Sequence, residues 1–375
     1  MLRWVFIGFL AVTGAAAHAE PLRIDSAQGL VSPDMQPLAV HVGGRVAAAA
    51  DGFTHQWPGV YFEAAFTGTS LTLQFDDSAN EYRLLIDGLP PIALPQPGQT
   101  DVQISGLAPE LHQVRLEKVT ESVSETGRFA GFYLAATATP GTVPARARQI
   151  EFIGDSDMTG YGIHSGSRDC TADQVRLLSD TQIGYPALVA KHFDADYQIN
   201  AISGRGIVRN YDGFDPGIAL PLVYGFSLPA TGAQAADAGW QPQIIYLALG
   251  GNDFATPLHD GEHWADTDAL IADFTKTYSQ FITLLHHDQP QASILIAMPY
   301  GPVIPQALGA DFTTSFQTAL LNTAGQIGLN HIDFLTLTDT DAQFTACHNH
   351  PSVRDQQHRA AWLTAYLDAH PGLWN

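Results

Sequence analysis

Positive charge is the scarcest property of this sequence. Only 17 of its 375 residues are Lys or Arg, against 38 Asp and Glu, so the formal net charge is −21 at pH 7. A surface with this charge repels phosphate backbones and anionic lipid headgroups. We therefore expect no nucleic-acid partner, whereas a neutral ligand such as a sugar would not be repelled.

Long apolar runs are also absent, with one exception at the N-terminus. Residues 1–19 carry Arg3, an apolar stretch from Trp4 to Val12, and the small-x-small motif AHA that ends at Ala19. The stretch is shorter than the roughly 20 residues that a membrane-spanning helix requires. It is typical of a secretory signal peptide that is cleaved near Ala19. We therefore expect export to the extracellular or periplasmic space and no membrane insertion.

Cysteine is nearly absent, and the 2 that occur are Cys170 and Cys347. Two cysteines in an oxidising compartment commonly pair, so a disulfide is expected, with two buried free thiols as the alternative. Clusters of metal ligands are lacking too, because neither His286-His287 nor the HNH motif at 348–350 is completed by other ligands. The sequence therefore predicts no metal and no cofactor.

The first part of the mature chain lacks any useful helical periodicity. Alternating apolar and polar residues recur between Gly and Pro residues in six segments: 59–68, 70–77, 82–90, 101–107, 112–119 and 127–136. Period-two segments about ten residues apart favour an all-β sandwich. We predict a β-sandwich domain over 20–140 and a linker rich in Pro, Gly and Ala over 141–148. Whether the sandwich binds sugar through Trp57 or Tyr61 stays open at this stage.

From residue 149 the pattern changes to apolar runs that alternate with helical periodicity. The predicted strands are 150–156, 197–204, 242–253, 293–301 and 331–337, and the predicted helices are 185–193, 270–285, 312–327 and 352–367. Strands that are apolar throughout and alternate with helices indicate a parallel sheet covered on both faces. The second domain, over 149–375, is therefore predicted to be α/β.

Polar motifs stand at the ends of three of these strands, where parallel sheets bind ligands. GDS contains Ser156, ISG ends at Gly204, and GGND contains Asn252. A serine here is well placed for nucleophilic attack but needs a base, and His350 in CHNHPS is the candidate. The N–H groups of Ser156 and Gly204 and the Asn252 amide can form an oxyanion hole. The alternatives are a helix cap at Ser156 and ordinary Gly-rich turns.

In this order, the Ser, Gly, Asn and His blocks resemble those of the SGNH (GDSL-type) hydrolases over 149–375. The resemblance implies a flavodoxin-like parallel sheet, Ser156 as nucleophile, His350 as base, and Gly204 and Asn252 as oxyanion donors. With FIGDSDMTGYG, ISGRG and a β-domain in front, the chain is similar to carbohydrate esterase family 2. That similarity implies a jelly-roll sandwich packed on the catalytic domain and removal of O-acetyl groups from plant-wall polysaccharide.

One departure from the SGNH pattern concerns the catalytic histidine. Many of these hydrolases carry Asp three residues before it, but here that position is Cys347. The sequence therefore predicts a Ser-His dyad, in which a backbone carbonyl or a polar neighbour holds the imidazole of His350. We also expect a bridge from Cys170 to Cys347 to fix this histidine. The neighbours and acids considered as alternative partners are His348, Asn349 and Asp341.

Trp264 and Phe254 lie near the edge of the predicted sheet at which the strands end. They are the candidates for stacking on a sugar face, with loop packing as the alternative. The predicted function is a secreted, monomeric serine esterase that deacetylates acetyl xylan or glucomannan through an acetyl-serine intermediate. Two alternatives remain open. One is an SGNH lipase or thioesterase acting on short acyl esters, and the other is a non-catalytic carbohydrate-binding protein.

Overall fold

The computed structural model describes residues 21–122, 124–234, 239–297, 308, 311–336 and 341–375. The predicted signal peptide over 1–19 lies outside these residues. Among the helices that the structure describes, none combines the length and the apolar composition that crossing a membrane requires.

Eleven strands form an antiparallel sheet in the first part of the chain. They are β1 (Arg23–Ala27), β2 (Gln36–Pro37), β3 (His41–Gly43), β4 (Val46–Ala49), β5 (Gly52–His55), β6 (Tyr61–Asp77), β7 (Glu81–Ile86), β8 (Ile92–Pro95), β9 (Gly98–Lys118), β10 (Gly127–Leu134) and β11 (Thr139–Pro140). The central path runs β4-β5-β10-β6-β9-β7-β8. The all-β architecture predicted for this part of the chain is confirmed.

Two long strands, β6 and β9, replace the four shorter strands expected from the sequence. They pair with each other along both halves, and the register shifts once, between Gly68 and Ser70. A β-bulge of this kind bends a strand without ending its hydrogen bonding. Phe62 and Leu73, which lie on opposite sides of the bulge, are both 0% exposed and belong to the same core cluster. Both halves of these bent strands therefore contribute to one core.

A five-stranded parallel sheet follows, in the order β13-β12-β16-β17-β18. Its strands are β12 (Arg148–Gly154), β13 (Ala195–Ala201), β16 (Ile244–Ala248), β17 (Ser293–Ala297) and β18 (Ile332–Leu335), and a separate hairpin pairs β14 (Phe226–Leu228) with β15 (Ala233–Gln234). The predicted parallel sheet is confirmed. Because all five strands run the same way, the loops after them meet at one edge.

Helices cover both faces of this sheet. They are α1 (Ser156–Thr159), α2 (Ala172–Leu178), α3 (Tyr185–His192), α4 (Leu220–Val223), α5 (Gly251–Phe254), α6 (Thr267–Asp288), α7 (Phe312–Ile327) and α8 (Val353–Ala369), with four 3-10 turns at Thr181–Ile183, Tyr211–Gly213, Cys347–Asn349 and Pro371–Trp374. Phe152 and Ile153, which are neighbours on β12, enter different core clusters. Strand residues alternate between faces, so each face has its own core, one with α6 and α7 and the other with α3 and α8.

The two parts of the chain are joined by buried side chains from the sandwich. Trp57 is 0% exposed, packs in the core of the second part, and donates its indole N–H to the carbonyl of Phe226 at 2.8 Å. Tyr61 is also 0% exposed and donates to Asp196 Oδ1 at 2.7 Å. Neither ring can therefore stack on a sugar, and both hold the two domains together instead.

Candidate active site

Ser156 lies directly beyond the carboxyl end of β12, at the first position of α1. The helix begins here because the side chain of Asp155 accepts a hydrogen bond from the N–H of Asp157 at 3.1 Å. Ser156 is 9% exposed. Its Oγ lies 2.8 Å from His350 Nε2, although 194 positions separate the two residues. The structure therefore brings the predicted nucleophile and base into hydrogen-bond contact.

His350 is held between the 3-10 turn Cys347–Asn349 and α8. Its Nδ1 lies 2.8 Å from the carbonyl oxygen of Cys347, which can only accept a hydrogen bond. Nδ1 therefore carries the proton, and Nε2 is free to accept the hydroxyl hydrogen of Ser156. Within the described residues no carboxylate bonds to this imidazole. The arrangement is a Ser-His pair whose orienting group is a backbone carbonyl.

Asp355 anchors the segment that carries His350. Its carboxylate accepts from the N–H groups of Gln343 and Phe344 at 3.1 Å, and from the N–H and hydroxyl of Ser352 at 2.9 Å. Burial alone would raise the pKa of Asp355, but these hydrogen bonds outweigh burial and hold the pKa below its ordinary value. A charged Asp355 therefore fixes the start of α8 and the loop before it.

Tyr161 packs on the imidazole of His350, with 4.2 Å between ring centroids and an interplanar angle of 32°. Its hydroxyl lies 3.0 Å from His348 Nδ1, and His348 Nε2 lies 2.9 Å from the carbonyl oxygen of Cys170. Nε2 donates to that carbonyl, so Nδ1 accepts from the tyrosine. His348, one of the alternative partners of the base, thus orients Tyr161 instead.

A disulfide joins Cys170 to Cys347. It ties the segment after α1 to the turn whose carbonyl holds His350. The close approach depends on Gly162, where φ is +54° and an added Cβ would lie 2.5 Å from Cys347 Cβ. Glycine at this position therefore lets the bridge pack directly beside the site.

Gly204 lies in the turn after β13 with φ +78°. A Cβ added there would lie 2.8 Å from the ring of Phe214, so both the backbone angle and the space require glycine. Among the residues that the structure describes, the N–H groups of Gly204 and Ser156 have no hydrogen-bond partner. Both groups are therefore free to donate to a substrate oxygen.

Asn252 reaches the same site from α5, but its amide is already hydrogen-bonded. Nδ2 donates to Asp155 Oδ2 at 3.1 Å and to the carbonyl of Arg205 at 3.0 Å. An oxyanion would have to share one of these two hydrogens. Burial, followed by the charge of Asp157, raises the pKa of Asp155 above its ordinary value. A weaker acid at this position places less negative charge beside a developing oxyanion.

These residues surround a cavity of about 300 Å³. Sequence reasoning missed its aromatic wall, for which the only signal was the position of the tyrosines and phenylalanine just after the Ser and Gly blocks. Tyr211 is 51% exposed and Phe214 is 40% exposed, so their rings are open to a ligand. Within the described residues, no group of three or more His, Cys, Asp or Glu is placed to hold a metal ion. The residues lining the cavity are Ser156, Tyr161, Ser203, Gly204, Tyr211, Phe214, Asn252, His348 and His350.

Neither Trp264 nor Phe254 lines this cavity, contrary to the prediction. Phe254 is 3% exposed, because α5 turns it into the core against Phe274 and Phe312, at centroid distances of 5.0 and 5.9 Å. Trp264 borders a separate surface depression, and its indole N–H donates to Asp273 Oδ2 at 3.0 Å. Both aromatics are therefore accounted for by packing, which was the alternative reading.

Two family profiles match the chain. Residues 42–144 match the carbohydrate esterase 2 N-terminal family, and residues 152–372 match the GDSL-like lipase/acylhydrolase family. An acetylxylan esterase/glucomannan deacetylase of Cellvibrio japonicus (strain Ueda107) is 40% identical over 354 residues, which cover 90% of this chain and 93% of that protein.

Solved structures agree with these matches. One, described as "The active site of a carbohydrate esterase displays divergent catalytic and non-catalytic binding functions", has a TM-score of 0.80 and 38% identity and covers 91% of this chain and 100% of that one. A family two carbohydrate esterase from Clostridium thermocellum in complex with cellohexaose has a TM-score of 0.73 and 26% identity, and the match covers 89% of this chain and 100% of that one.

Proposed function

Because this chain belongs to carbohydrate esterase family 2 and to the GDSL-like lipase/acylhydrolases, we propose that it removes O-acetyl groups from plant-wall polysaccharide through an acetyl-serine intermediate. The observation that carries the mechanism is the 2.8 Å contact between Ser156 Oγ and His350 Nε2 at the wall of the cavity. A serine hydroxyl becomes nucleophilic only when a base takes its proton, and this contact supplies the base.

In the proposed first step, Ser156 Oγ attacks the acetyl carbonyl carbon while His350 Nε2 takes the hydroxyl proton. The carbonyl oxygen becomes an oxyanion in a tetrahedral intermediate. The free N–H groups of Ser156 and Gly204, together with the amide of Asn252, are its proposed donors. Each such donor contributes roughly 10²–10³ in rate, because it is directed at charge that exists only during the reaction.

The intermediate then collapses. The C–O bond to the sugar breaks, and the imidazolium of His350 returns its proton to the sugar oxygen, which leaves as a hydroxyl. Water enters, His350 takes one of its protons, and the resulting attack releases acetate and restores Ser156. The Cys347 carbonyl keeps Nδ1 protonated throughout, so that Nε2 alone exchanges the proton with substrate.

We propose an acetylated oligosaccharide or polysaccharide as the substrate. A cavity of about 300 Å³ suits a small acyl group better than a long chain. The open rings of Tyr211 and Phe214 offer apolar faces on which a pyranose can stack. The relative from Clostridium thermocellum was solved with cellohexaose, which supports a linear glycan as the ligand here as well. Acetyl xylan and acetylated glucomannan are the proposed natural forms.

We further propose that the protein acts outside the cytoplasm. The disulfide between Cys170 and Cys347 supports this location, because such bonds persist in oxidising compartments. The signal-peptide pattern of residues 1–19 supports it independently.

The central test is Ser156→Ala. Release of acetate from acetylated xylan and from a chromogenic acetate ester should fall by at least about 10³-fold, as expected when a nucleophile is removed. A fluorophosphonate should label the wild-type protein covalently and leave the variant unlabelled. Wild-type activity in Ser156→Ala would refute the mechanism. Wild-type enzyme that labels but favours octanoyl over acetyl esters would refute the substrate class instead.

A further inference from the structure

The orientation of the Gly204 N–H is decided by a single tight turn, Ile202–Arg205. Arg205 N–H donates to the carbonyl of Ile202 at 3.1 Å, and Gly204, the third residue, has φ +78° while Ser203 has a negative φ. This combination defines a type II turn. The peptide plane between Ser203 and Gly204 is the one that type I and type II turns hold in opposite orientations. Its flip would turn the proposed oxyanion donor away.

Ser203 is fixed by a carboxylate from the sandwich part of the chain. Glu121 Oε1 accepts the N–H of Ser203 at 2.7 Å, and Glu121 Oε2 accepts its hydroxyl at 2.5 Å. The Ser203 hydroxyl also lies 3.2 Å from Thr159 Oγ1, which in turn lies 3.2 Å from the carbonyl oxygen of Ser156. Both the main chain and the side chain of Ser203 are therefore held by one charged group.

Glu121 belongs to a segment that is itself held by hydrogen bonds. It follows β9 in a short segment in which the Thr120 hydroxyl donates to Asn80 Oδ1 at 2.9 Å. On the other side, the N–H of Thr181 donates to the carbonyl of Val119 at 3.0 Å. Thr120 is 1% exposed and Asn80 is 0% exposed. The segment is therefore anchored to both parts of the chain before the Glu121 side chain reaches the site.

The Glu121 carboxylate also lies close enough to the cavity to affect one of its walls. Burial raises the pKa of Tyr161 and the negative charge of Glu121 raises it further. Tyr161 packs on His350. The Glu121 carboxylate is therefore hydrogen-bonded to Ser203 on one side and within electrostatic range of Tyr161 on the other.

We propose that Glu121 is a positioning residue, by which the sandwich domain holds the Ser203–Gly204 peptide in the orientation that directs its N–H to the oxyanion. The proposal rests on the proposed function, since it concerns the transition state of that reaction. It gives the first domain a role in catalysis that is independent of binding carbohydrate. Its two hydrogen bonds to Ser203 are the contacts through which it positions this peptide.

The test compares Glu121→Ala and Glu121→Gln in the full-length enzyme. Glu121→Ala should lower kcat for a chromogenic acetate by about 10- to 100-fold with little change in KM. A correctly directed oxyanion donor raises the rate by roughly 10²–10³-fold, and a misdirected donor loses part of this effect. Glu121→Gln should recover most of kcat, since its amide oxygen can still accept the Ser203 N–H. A glutamine that is as impaired as the alanine would count against this account.

A double-mutant cycle with Ser203→Ala decides whether Glu121 acts through Ser203. If it does, Glu121→Ala combined with Ser203→Ala should be little worse than Glu121→Ala alone. Fully additive losses, or an unchanged kcat in Glu121→Ala, would overturn the proposal. If Ser156→Ala is inactive while Glu121→Ala keeps the wild-type kcat, only this inference fails and the proposed function stands.

The control for loss of structure is Glu81→Gln, which weakens another contact between the two parts of the chain, the 2.9 Å ion pair with Arg176. This pair does not line the cavity. We expect Glu81→Gln to keep kcat near the wild-type value, and urea midpoints should show that Glu121→Ala remains folded. A similar fall of kcat in Glu81→Gln would point to general loosening of the domains and overturn the assignment to Glu121.

Discussion

The proposed base, His350, is oriented by the carbonyl oxygen of Cys347 at 2.8 Å, and no carboxylate among the described residues bonds to its imidazole. A carbonyl fixes the tautomer and the plane of the ring, as an aspartate does in a Ser-His-Asp triad. It brings no full negative charge to stabilise the imidazolium. Under the proposed mechanism, we therefore expect the proposed oxyanion donors, Gly204 among them, to supply a larger share of transition-state stabilisation than in a triad enzyme.

Gly204→Ala should disable this donor. The substitution places an alanine at φ +78°, which costs roughly 1–2 kcal/mol, and puts its Cβ 2.8 Å from the Phe214 ring. Relief of the strain would rotate the peptide, so kcat for acetate esters should fall by about 10²-fold, the value of one oxyanion donor. Steady-state kinetics on the folded variant measure this loss directly.

The matched control for this substitution is Gly325→Ala in α7. Gly325 has no atom within 4 Å of an added Cβ and no positive φ. Alanine is preferred over glycine inside a helix by roughly 1 kcal/mol, so this variant should be as active as the wild type and at least as stable. Equal kcat for Gly204→Ala and Gly325→Ala would show that Gly204 is not an oxyanion donor.

At the scale of the element, the turn Cys347–Asn349 connects the disulfide to the proposed catalytic base. Its conformation is strained, with φ +52° at His348 and φ +61° at Asn349. Such angles are uncommon for residues other than glycine, even though Asn and His adopt them more readily than most, and contacts from the surroundings help to hold them. Here the bridge to Cys170 and the hydrogen bond from the His348 N–H to the Arg168 carbonyl at 2.8 Å supply the constraint. The turn therefore depends on contacts from outside it.

Removing the disulfide with Cys170→Ser and Cys347→Ser should lower both stability and kcat. A bridge that closes a 177-residue loop is expected to contribute about 2–4 kcal/mol to the free energy of unfolding. The carbonyl at 347 should also become mobile, which loosens His350 and lowers kcat more than it raises KM. Urea unfolding and steady-state kinetics measure the two effects separately.

Reduction provides the control for the serine pair. Dithiothreitol should impair the wild-type enzyme in the same way and leave the double variant unchanged. Two free thiols found by non-reducing mass spectrometry of the exported protein would contradict the bridge itself. A variant that loses stability but keeps its full kcat would show that the bridge does not hold the base.

For the whole molecule, the contact between the two parts of the chain is rich in ion pairs. Among the residues that the structure describes, six cations pair with carboxylates in or beside this contact: Arg45, Arg83, Arg115, Arg146, Arg176 and Lys191. Glu117, at the end of β9, is 0% exposed and lies 2.6 Å from Lys191, 2.8 Å from Arg83 and 2.9 Å from Arg115. A charged cluster, rather than apolar packing alone, therefore fixes the domain arrangement that carries Glu121 to the site.

This cluster should make the protein sensitive to acid through Glu117. Burial alone would raise the pKa of Glu117, but the charges of Lys191, Arg115 and Arg83 lower it to about 2. In the unfolded chain, Glu117 takes up its proton near pH 4.5. This stabilisation is therefore present above pH 4.5 and is lost as the pH falls from there towards 2. The loss amounts to about 3 kcal/mol in the free energy of unfolding.

Urea unfolding at pH 6 and pH 3 tests this dependence. Glu117→Gln should be less stable than the wild type at pH 6, because it leaves buried cations without their partner. Its free energy of unfolding should also fall less on acidification than that of the wild type. Glu110→Gln is the control, because Glu110 is an exposed residue of the same strand. An acid loss in Glu117→Gln equal to that of the wild type would contradict the assignment.

Much of the fold could be predicted because its signals are local. The apolar runs that became β12, β13, β16, β17 and β18 were recognised from periodicity, and so were the four long helices. The bends of β6 and β9 were missed, because a bulge at Gly68–Ser70 resembles a loop when one strand is considered without its partner. The residue types of Phe254 and Trp264 suggested sugar stacking, but residue type does not reveal which way the short helix α5 turns Phe254 or where a loop places Trp264.

The sequence by itself determined the order of the elements, the four motif blocks and the absence of an acid at 347, since each is a property of neighbouring residues. Only the tertiary structure decided what replaces that acid, which aromatic rings face the cavity, and that a glutamate of the first domain holds Ser203. The physical reason is distance along the chain. A backbone carbonyl is present at every residue, so its role depends on where folding places it, and contacts between residues 121 and 203 leave no trace in local composition.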